Sequence, residues 1–456
     1  MIWKSTGKPT LRRPTGRVAE PLSGPPDDTP PVRASARSVA VEAVVRVLRD
    51  GAFAAAALSA ELERAKHLAE RDRALATELL YGTLRVRTAL EARLAALAPR
   101  GLKDVIVKAE LLVAAYQLLS LDRIPAFAAV NAAVNGVRAA RGPQVAGFAN
   151  AVLRKLAQGE KLEPIAAARQ NIAPWLLDAL TRSVGEDEAQ ALIVPQREKV
   201  VGLRLISGRA VPVWLESSPV GRASSRSRLI HGEGDPRKRD GFAEGAFTVQ
   251  EEGAQAIGLA LGARAGERVL DACAGRGQKT SLFVEQVGSA GSVWATDVYP
   301  KKLDALSTEL ARLRLDLPEI RSVDWTVGVG DVPANFDRVL VDAPCTGTGT
   351  LRRRPEIAAR LQPEDPARLS ALAETILRSA ATRARSGGRV VFAVCSVLDE
   401  ECEALVSRVL DVLEPAPFDC PELTALWPND ETPSSFRIGP TRFETDGYFA
   451  ASFIKR

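Results

Sequence analysis

Two cysteines stand where thiolate chemistry would need them. The stretch Phe336-Asp-Arg-Val-Leu-Val-Asp-Ala-Pro-Cys345-Thr-Gly-Thr-Gly349 reads as a strand that breaks at Asp342, with Cys345 three residues further on. Arg389-Val-Val-Phe-Ala-Val-Cys395-Ser396 reads as a second strand that ends directly at a cysteine. In a parallel sheet the carboxyl ends of the strands line the ligand crevice, so two thiols at such ends can meet although they are far apart in sequence. A lone buried cysteine usually serves as a small apolar side chain. Two at crevice-facing ends, with Asp342 beside one of them, point instead to a thiolate nucleophile.

A third feature supplies an anion site. Arg268-Val-Leu-Asp271 reads as a short buried strand, Ala272-Cys-Ala-Gly-Arg-Gly-Gln-Lys279 as a glycine-bearing turn, and Thr280 as the opening of a helix. Strand, turn and helix N-terminus together offer backbone N–H groups to a negative charge. The next strand, Ser292-Val-Trp-Ala-Thr-Asp297, ends on an acid about 20 residues beyond the turn, where a Rossmann-type site sets a carboxylate against ribose hydroxyls. Asp324, directly after the candidate strand Ile320-Arg-Ser-Val323, is the better choice for the adenine side. Asp331, in a Gly/Pro-rich stretch, reads as a loop acid.

The remaining composition narrows the chemistry. The other cysteines are Cys273, Cys402 and Cys420; no two cysteines form a C-x-x-C pair, which argues against zinc and disulfide frameworks and fits a reducing compartment. The two histidines, His67 and His231, lack nearby ligand-type partners, so no metal is expected and proton transfer falls to carboxylates, lysines or cysteines. No apolar run approaches the roughly 18 residues of a spanning helix. The opening Met1-Ile2-Trp3-Lys4 lacks a signal-peptide core, so a cytoplasmic, membrane-free protein is expected. A net charge of +5 permits a polyanionic partner without demanding one.

Four regions must position these residues. Residues 1–33, with Pro25-Pro26 and Pro30-Pro31, read as a disordered basic tail. Residues 34–158 carry helical spacing: Val41, Val44, Val45 and Leu48; Leu112, Ala115, Tyr116 and Leu119; Val130, Ala133, Val134 and Val137. Pro125 separates the last two of these helices and Gly142-Pro143 ends the second. Residues 159–245 form a less regular connector, with a helix start at Pro174-Trp175, a strand at Val200–Leu205, and Arg222, Arg226, Arg228, Arg237, Lys238 and Arg239 as candidate phosphate contacts. Residues 246–456 alternate strand and helix signals, as a parallel α/β sheet does.

Two resemblances join these readings. Asp72-Arg-Ala-Leu-Ala-Thr-Glu-Leu-Leu-Tyr-Gly-Thr-Leu-Arg85, Ala115-Tyr-Gln-Leu-Leu-Ser-Leu-Asp-Arg123, Ala129-Val-Asn-Ala-Ala-Val134 and Phe148-Ala-Asn-Ala-Val-Leu-Arg-Lys155 resemble the NusB-type RNA-binding domain. Asp271-Ala-Cys-Ala-Gly-Arg-Gly-Gln-Lys-Thr280, Asp342-Ala-Pro-Cys345 and Cys395-Ser-Val-Leu-Asp-Glu400 resemble the Sun/Fmu-type RNA 5-methylcytosine methyltransferases, with further likeness at Phe247–Gln255 and Asp446-Gly-Tyr-Phe449. The resemblance implies a multidomain fold: an all-α NusB-like bundle, a small α+β connector and a Rossmann-like α/β methyltransferase domain. It implies S-adenosyl-L-methionine as methyl donor, held by Cys273, Ala274, Gly275, Arg276, Gly277, Gln278 and Lys279, by Asp297 and Asp324, and on one side by Asp342. It implies Cys395 as the nucleophile, Cys345 as the group that assists product release, and Asp342 at the ring or cofactor side. The implied substrate is 16S ribosomal RNA, not DNA, and the implied state a monomer. Arg352, Arg353 and Arg354, just after the Cys345 loop, are the candidate phosphate clamp.

The chain departs from the family in one place. The usual Ala-Pro-Gly-Gly-Lys is here Gly275-Arg-Gly-Gln-Lys279 after Ala274, so Arg276 replaces proline and Gln278 a glycine. The alternatives are a transfer RNA target and a non-catalytic ribosome-assembly factor with a decayed cofactor site. An amino-group methyltransferase would carry an aromatic residue in place of Cys345, and a zinc deaminase would need H-x-E and P-C-x-x-C ligands that are absent.

Overall fold

The computed structural model describes residues 34–194, 200–232, 234–427 and 432–456, and the tail expected over residues 1–33 lies outside them. Six helices open the described chain: Ala36–Asp50, Ala54–Arg64, Glu70–Arg85, Arg87–Leu97, Val105–Ser120 and Ala126–Leu156. Ser35 caps the first in a capping box with Ser38, and Asp104 caps the fifth by accepting from the N–H groups of Ile106 and Val107 at 2.9 and 3.0 Å. Their i, i+3, i+4 positions meet inside: Val41, Val44, Leu112, Tyr116, Val130 and Val137 are all buried. The sixth helix is broken at Gly142, whose φ of 82° and ψ of 177° admit no helical turn, and Pro143 restarts it.

Three shorter helices follow, Pro164–Gln170, Pro174–Val184 and Glu186–Ile193, so helical structure runs well past residue 158. Proline begins the first two, where its missing N–H costs nothing. A small antiparallel sheet comes next, made of β1 (Val200–Leu205), β2 (Ser227–His231) and β3 (Phe247–Val249), in the order β2-β1-β3. Phe247 thus closes the small sheet rather than opening the large one.

The large sheet contains β4 (Arg268–Asp271), β5 (Ser292–Asp297), β6 (Glu319–Ser322), β7 (Phe336–Asp342), β8 (Ala384–Val394), β9 (Leu413–Pro415), β10 (Ser435–Ile438) and β11 (Tyr448–Lys455). Its order is β10-β11-β8-β7-β4-β5-β6, with β9 beside β11. The strands from β4 to β8 run parallel, and β11 lies antiparallel to β8. Helices cover both faces, which is why Val339, Leu340 and Val341 form an unbroken buried run. Truncating such a side chain, as in Leu340→Ala, is expected to cost about 2–5 kcal/mol. Strand order reverses at β4, between β5 and β7, so the crevice lies at the carboxyl ends of β4, β7 and their neighbours.

Ser35–Arg456 forms one compact unit. Leu176, Leu180 and Leu192 of the middle helices share a buried core with Leu351, Ile357, Val397 and Leu398. The segments that follow the two crevice cysteines are therefore seated on helical structure from earlier in the chain. Among the described residues, no helix is long and apolar enough to cross a membrane.

Candidate active site

The sheet itself brings the two thiols together. In β7 and β8, Asp342 lies opposite Ala393, and the N–H of Ala343 donates to the carbonyl of Ala393 at 2.9 Å, so both chains leave the sheet at one level. The Sγ atoms of Cys345 and Cys395 end 3.5 Å apart, in hydrogen-bond contact and not as a disulfide. The N–H of Gly349 donates to the carbonyl of Cys395 at 3.0 Å. Gly349 packs on the backbone of Gly447, where a Cβ would fall 1.9 Å from a carbonyl oxygen; only glycine admits that approach.

A buried carboxylate ties the two loops. Glu401 accepts from the N–H of Thr346 at 2.8 Å and from the hydroxyls of Thr346 and Ser396, each at 2.5 Å. Thr346 follows one cysteine and Ser396 the other, so a single side chain fixes their spacing. Glu401 lies one residue beyond the Cys395–Glu400 motif; its burial is a product of the loop's return, which periodicity does not show.

Electrostatics distinguishes the thiols. The hydrogen bond from Cys345 holds the Cys395 thiol below its ordinary range, against burial and the Asp342 charge, with help from the cations Arg354 and Lys279. Cys345 is pushed up, by that same bond and then by burial. The negative charge therefore belongs on Cys395.

The glycine turn forms the adjoining wall. Gly275 and Gly277 both have positive φ, 56° and 81°, and Gly277 sits against Leu306, where a Cβ would lie 2.5 Å from the side chain. A cavity of about 140 Å³ is lined by Asp271, Cys273, Ala274, Gly275, Arg276, Gln278, Lys279 and Asp342. Lys279 Nζ donates to Asp342 Oδ2 at 2.5 Å. Burial opposes charge on this lysine, but Asp342 outweighs it and holds the pKa above the ordinary value. Burial pushes Asp271 up to about 7, against a 2.7 Å hydrogen bond from Thr280. Its Oδ1 is buried with no hydrogen-bond partner in the described residues.

The expected acids divide. Asp297 lies behind the turn and pins it: Oδ2 accepts from the N–H of Gly275 at 3.1 Å and from Lys302 at 3.2 Å, and Oδ1 from the N–H of Tyr299 at 2.9 Å. Asp324 is exposed, is not among the residues lining the cavity, and accepts instead from the N–H and hydroxyl of Thr326. Asp331 pairs with Arg321, as a loop acid would.

Comparison with known proteins then settles the family. The model described as NusB family matches residues 34–158, and the one described as 16S rRNA methyltransferase RsmB/F matches residues 258–454. The ribosomal RNA small subunit methyltransferase B of Erwinia tasmaniensis is 30% identical over 443 residues, covering 92% of this chain and 98% of the relative. The chain belongs to the RsmB/F family of 16S rRNA methyltransferases. A probable methyltransferase B of Bacillus subtilis is 27% identical over 453 residues, covering 93% of this chain and 99% of that one. The crystal structure of PH0851 shares the fold, with a TM-score of 0.76 at 22% identity, covering 91% of this chain and 98% of that one.

In this family member the arginines expected to meet phosphate do not act alike. Arg352 is buried, donating to Asp446 at 3.0 Å and to the carbonyl of Glu444 at 2.6 Å, and Arg353 donates to Asp446 at 3.0 Å. Arg352 is an internal strut, a correction to the expected clamp; Arg353 is half-buried against Asp446, and Arg354 is exposed. In the connector, Arg226 pairs with Glu422, Arg237 with Asp235 and Arg222 with Glu444. Asp235 lies two residues from Arg237, whereas Glu422 and Glu444 come from distant loops of which the sequence offers no hint.

Proposed function

We propose that this RsmB/F-family enzyme methylates carbon 5 of a cytosine in 16S ribosomal RNA, with Cys395 as the nucleophile. The observation that carries the reading is the 3.5 Å contact of two thiols at adjacent strand ends, with acidity favouring Cys395. Carbon 5 of cytosine is a weak nucleophile. A thiolate that adds at carbon 6 makes carbon 5 enamine-like; once the carbon 5 proton has passed to solvent water, its electron pair restores the 5,6 double bond and the carbon–sulfur pair returns to Cys395. Cys345, held protonated beside Cys395, suits the later step of returning a proton as Cys395 departs.

The residues of the turn fit S-adenosyl-L-methionine. The buried, unpartnered Asp271 Oδ1 calls for a donor such as an ammonium group. The start of helix Gln278–Val287 behind Gly275 and Gly277 suits a carboxylate. Bound there, the donor supplies an electrophilic methyl group on sulfonium. Lys279 neutralises Asp342 between that wall and the thiols, and the target base must be unstacked to enter.

The test uses wild type, Cys395→Ala and Cys345→Ala with small-subunit ribosomal RNA and labelled S-adenosylmethionine, analysed on denaturing gels. Label should enter cytosine with wild type and not with Cys395→Ala. Cys345→Ala should accumulate a covalent protein–RNA band that requires Cys395. Transfer of no label to ribosomal RNA, with transfer to transfer RNA, would move the target; transfer to neither would favour a ribosome-assembly role.

A further inference from the structure

Tyr448 opens β11 one residue before Phe449, which lies opposite Val394 of β8. The antiparallel register therefore sets Tyr448 across from Cys395, with both side chains on one face of the sheet. The cores agree. Tyr448 and Cys395 both pack with the core under helices Glu252–Ala260 and Gln278–Val287, whereas Val394 and Phe449 belong to the core on the opposite face.

The ring is fixed in place. It lies against Gly253, where a Cβ would stand 2.7 Å from Cδ2 and Cε2, so glycine there makes room for the phenol. Tyr448 is 8% exposed, yet its hydroxyl makes no hydrogen bond to any described residue. The polar groups around it are already engaged. Glu251 accepts from the N–H of Asp446 at 3.1 Å and of Ala254 at 3.0 Å, and Asp446 accepts from Arg352 and Arg353. Burial, Glu251 and Asp446 keep the phenol protonated, hence a donor. A phenol hydroxyl that no described side chain or backbone group uses, set across the sheet from the nucleophile, is free to meet a ligand atom.

We propose that Tyr448 touches the substrate, its hydroxyl donating a hydrogen bond to the N3/O2 edge of the target pyrimidine while Cys395 is bonded at carbon 6. The assignment rests on the carbon 5 reading above. When sulfur bonds to carbon 6, the electron pair of the 5,6 double bond moves through carbon 4 onto N3. A donor at that edge stabilises the charge that develops, and no bond to tyrosine forms or breaks.

The experiment compares Cys345→Ala with the double variant Cys345→Ala/Tyr448→Phe, following the rate of the covalent RNA adduct on small-subunit ribosomal RNA. Phenylalanine keeps the ring against Gly253. The double variant should form adduct about 10- to 100-fold more slowly, with S-adenosylmethionine affinity and Tm unchanged. Adduct formation at the rate of Cys345→Ala, or a loss matched by weaker cofactor binding or a lower Tm, overturns the assignment. If Cys345→Ala alone traps no adduct, the carbon 5 reading falls and the assignment with it.

Discussion

The sulfurs of Cys345 and Cys395 meet across 3.5 Å, a hydrogen-bond contact made by two strand ends that are adjacent in the sheet and distant in the chain. The bond lowers the acidity threshold of Cys395 more than any other neighbour does. Cys345→Ala should therefore move the pH dependence of iodoacetamide alkylation at Cys395, read by peptide mass spectrometry, toward higher pH. An unchanged profile would mean that the cations Lys279 and Arg354 set the thiolate instead.

The ion pair Lys279–Asp342 joins the cofactor wall to the thiol loop, with side chains 14% and 29% exposed. Lys279→Met keeps most of the stem and removes the charge, leaving Asp342 uncompensated beside Cys395. We expect kcat/KM to fall about 100-fold or more, the scale seen when an oriented electrostatic group is lost from a site. Steady-state methylation assays check this; a fall of less than fivefold would reduce the lysine to a structural role.

The altered turn makes a paired prediction. Gly277→Ala forces a Cβ to 2.5 Å from Leu306 at a φ of 81°, so cofactor binding by calorimetry should weaken at least tenfold. Gln278 donates through Nε2 to the carbonyl of Val249 at 2.8 Å, tying the turn to the small sheet. Gln278→Gly should shift affinity only a few-fold, because the anion-facing N–H groups belong to the backbone. A larger loss from Gln278→Gly than from Gly277→Ala would reverse that account.

What the sequence showed follows from which interactions are local. The strands ending at Asp271, Asp297 and Asp342 announced themselves as short apolar runs, and each ends at that residue in the structure. The thiol meeting was legible because parallel topology fixes where such strands end. Glu401, Tyr448 and the pairing of Arg352 and Arg353 with Asp446 were not legible: the partners Thr346, Cys395 and Asp446 are set by loop returns and antiparallel pairing of β11. Asp324 stands just after its strand as expected, and there its Oδ1 accepts from the N–H and hydroxyl of Thr326 in a local turn.

Glu401 is 1% exposed and holds donors from both cysteine loops. Glu401→Ala leaves the Thr346 N–H and the Ser396 hydroxyl without this acceptor and should lower stability by about 2–4 kcal/mol in urea melts. It should also uncouple the thiols, so that kcat falls even well below the denaturation midpoint. Full kcat in a destabilised variant would separate fold from catalysis and defeat the idea that Glu401 spaces the pair.

Glu110 gives the bundle a pH dependence of its own. Its carboxylate covers Gly136, where a Cβ would stand 1.8 Å from Oε1, and burial, then the charge of Glu42, push its pKa from 4.5 up to about 8. The folded chain thus keeps a proton that the unfolded chain releases near pH 4.5, so this group's contribution is complete below that pH. Stability is lost as pH rises toward 8, because the native state binds the extra proton throughout that window. Glu110→Gln mimics the protonated form and removes the dependence. Its Tm should match wild type near pH 4.5 and exceed it at pH 8, measured by calorimetry in equal salt; an equal difference at both pH values would show that Glu110 does not titrate in this range.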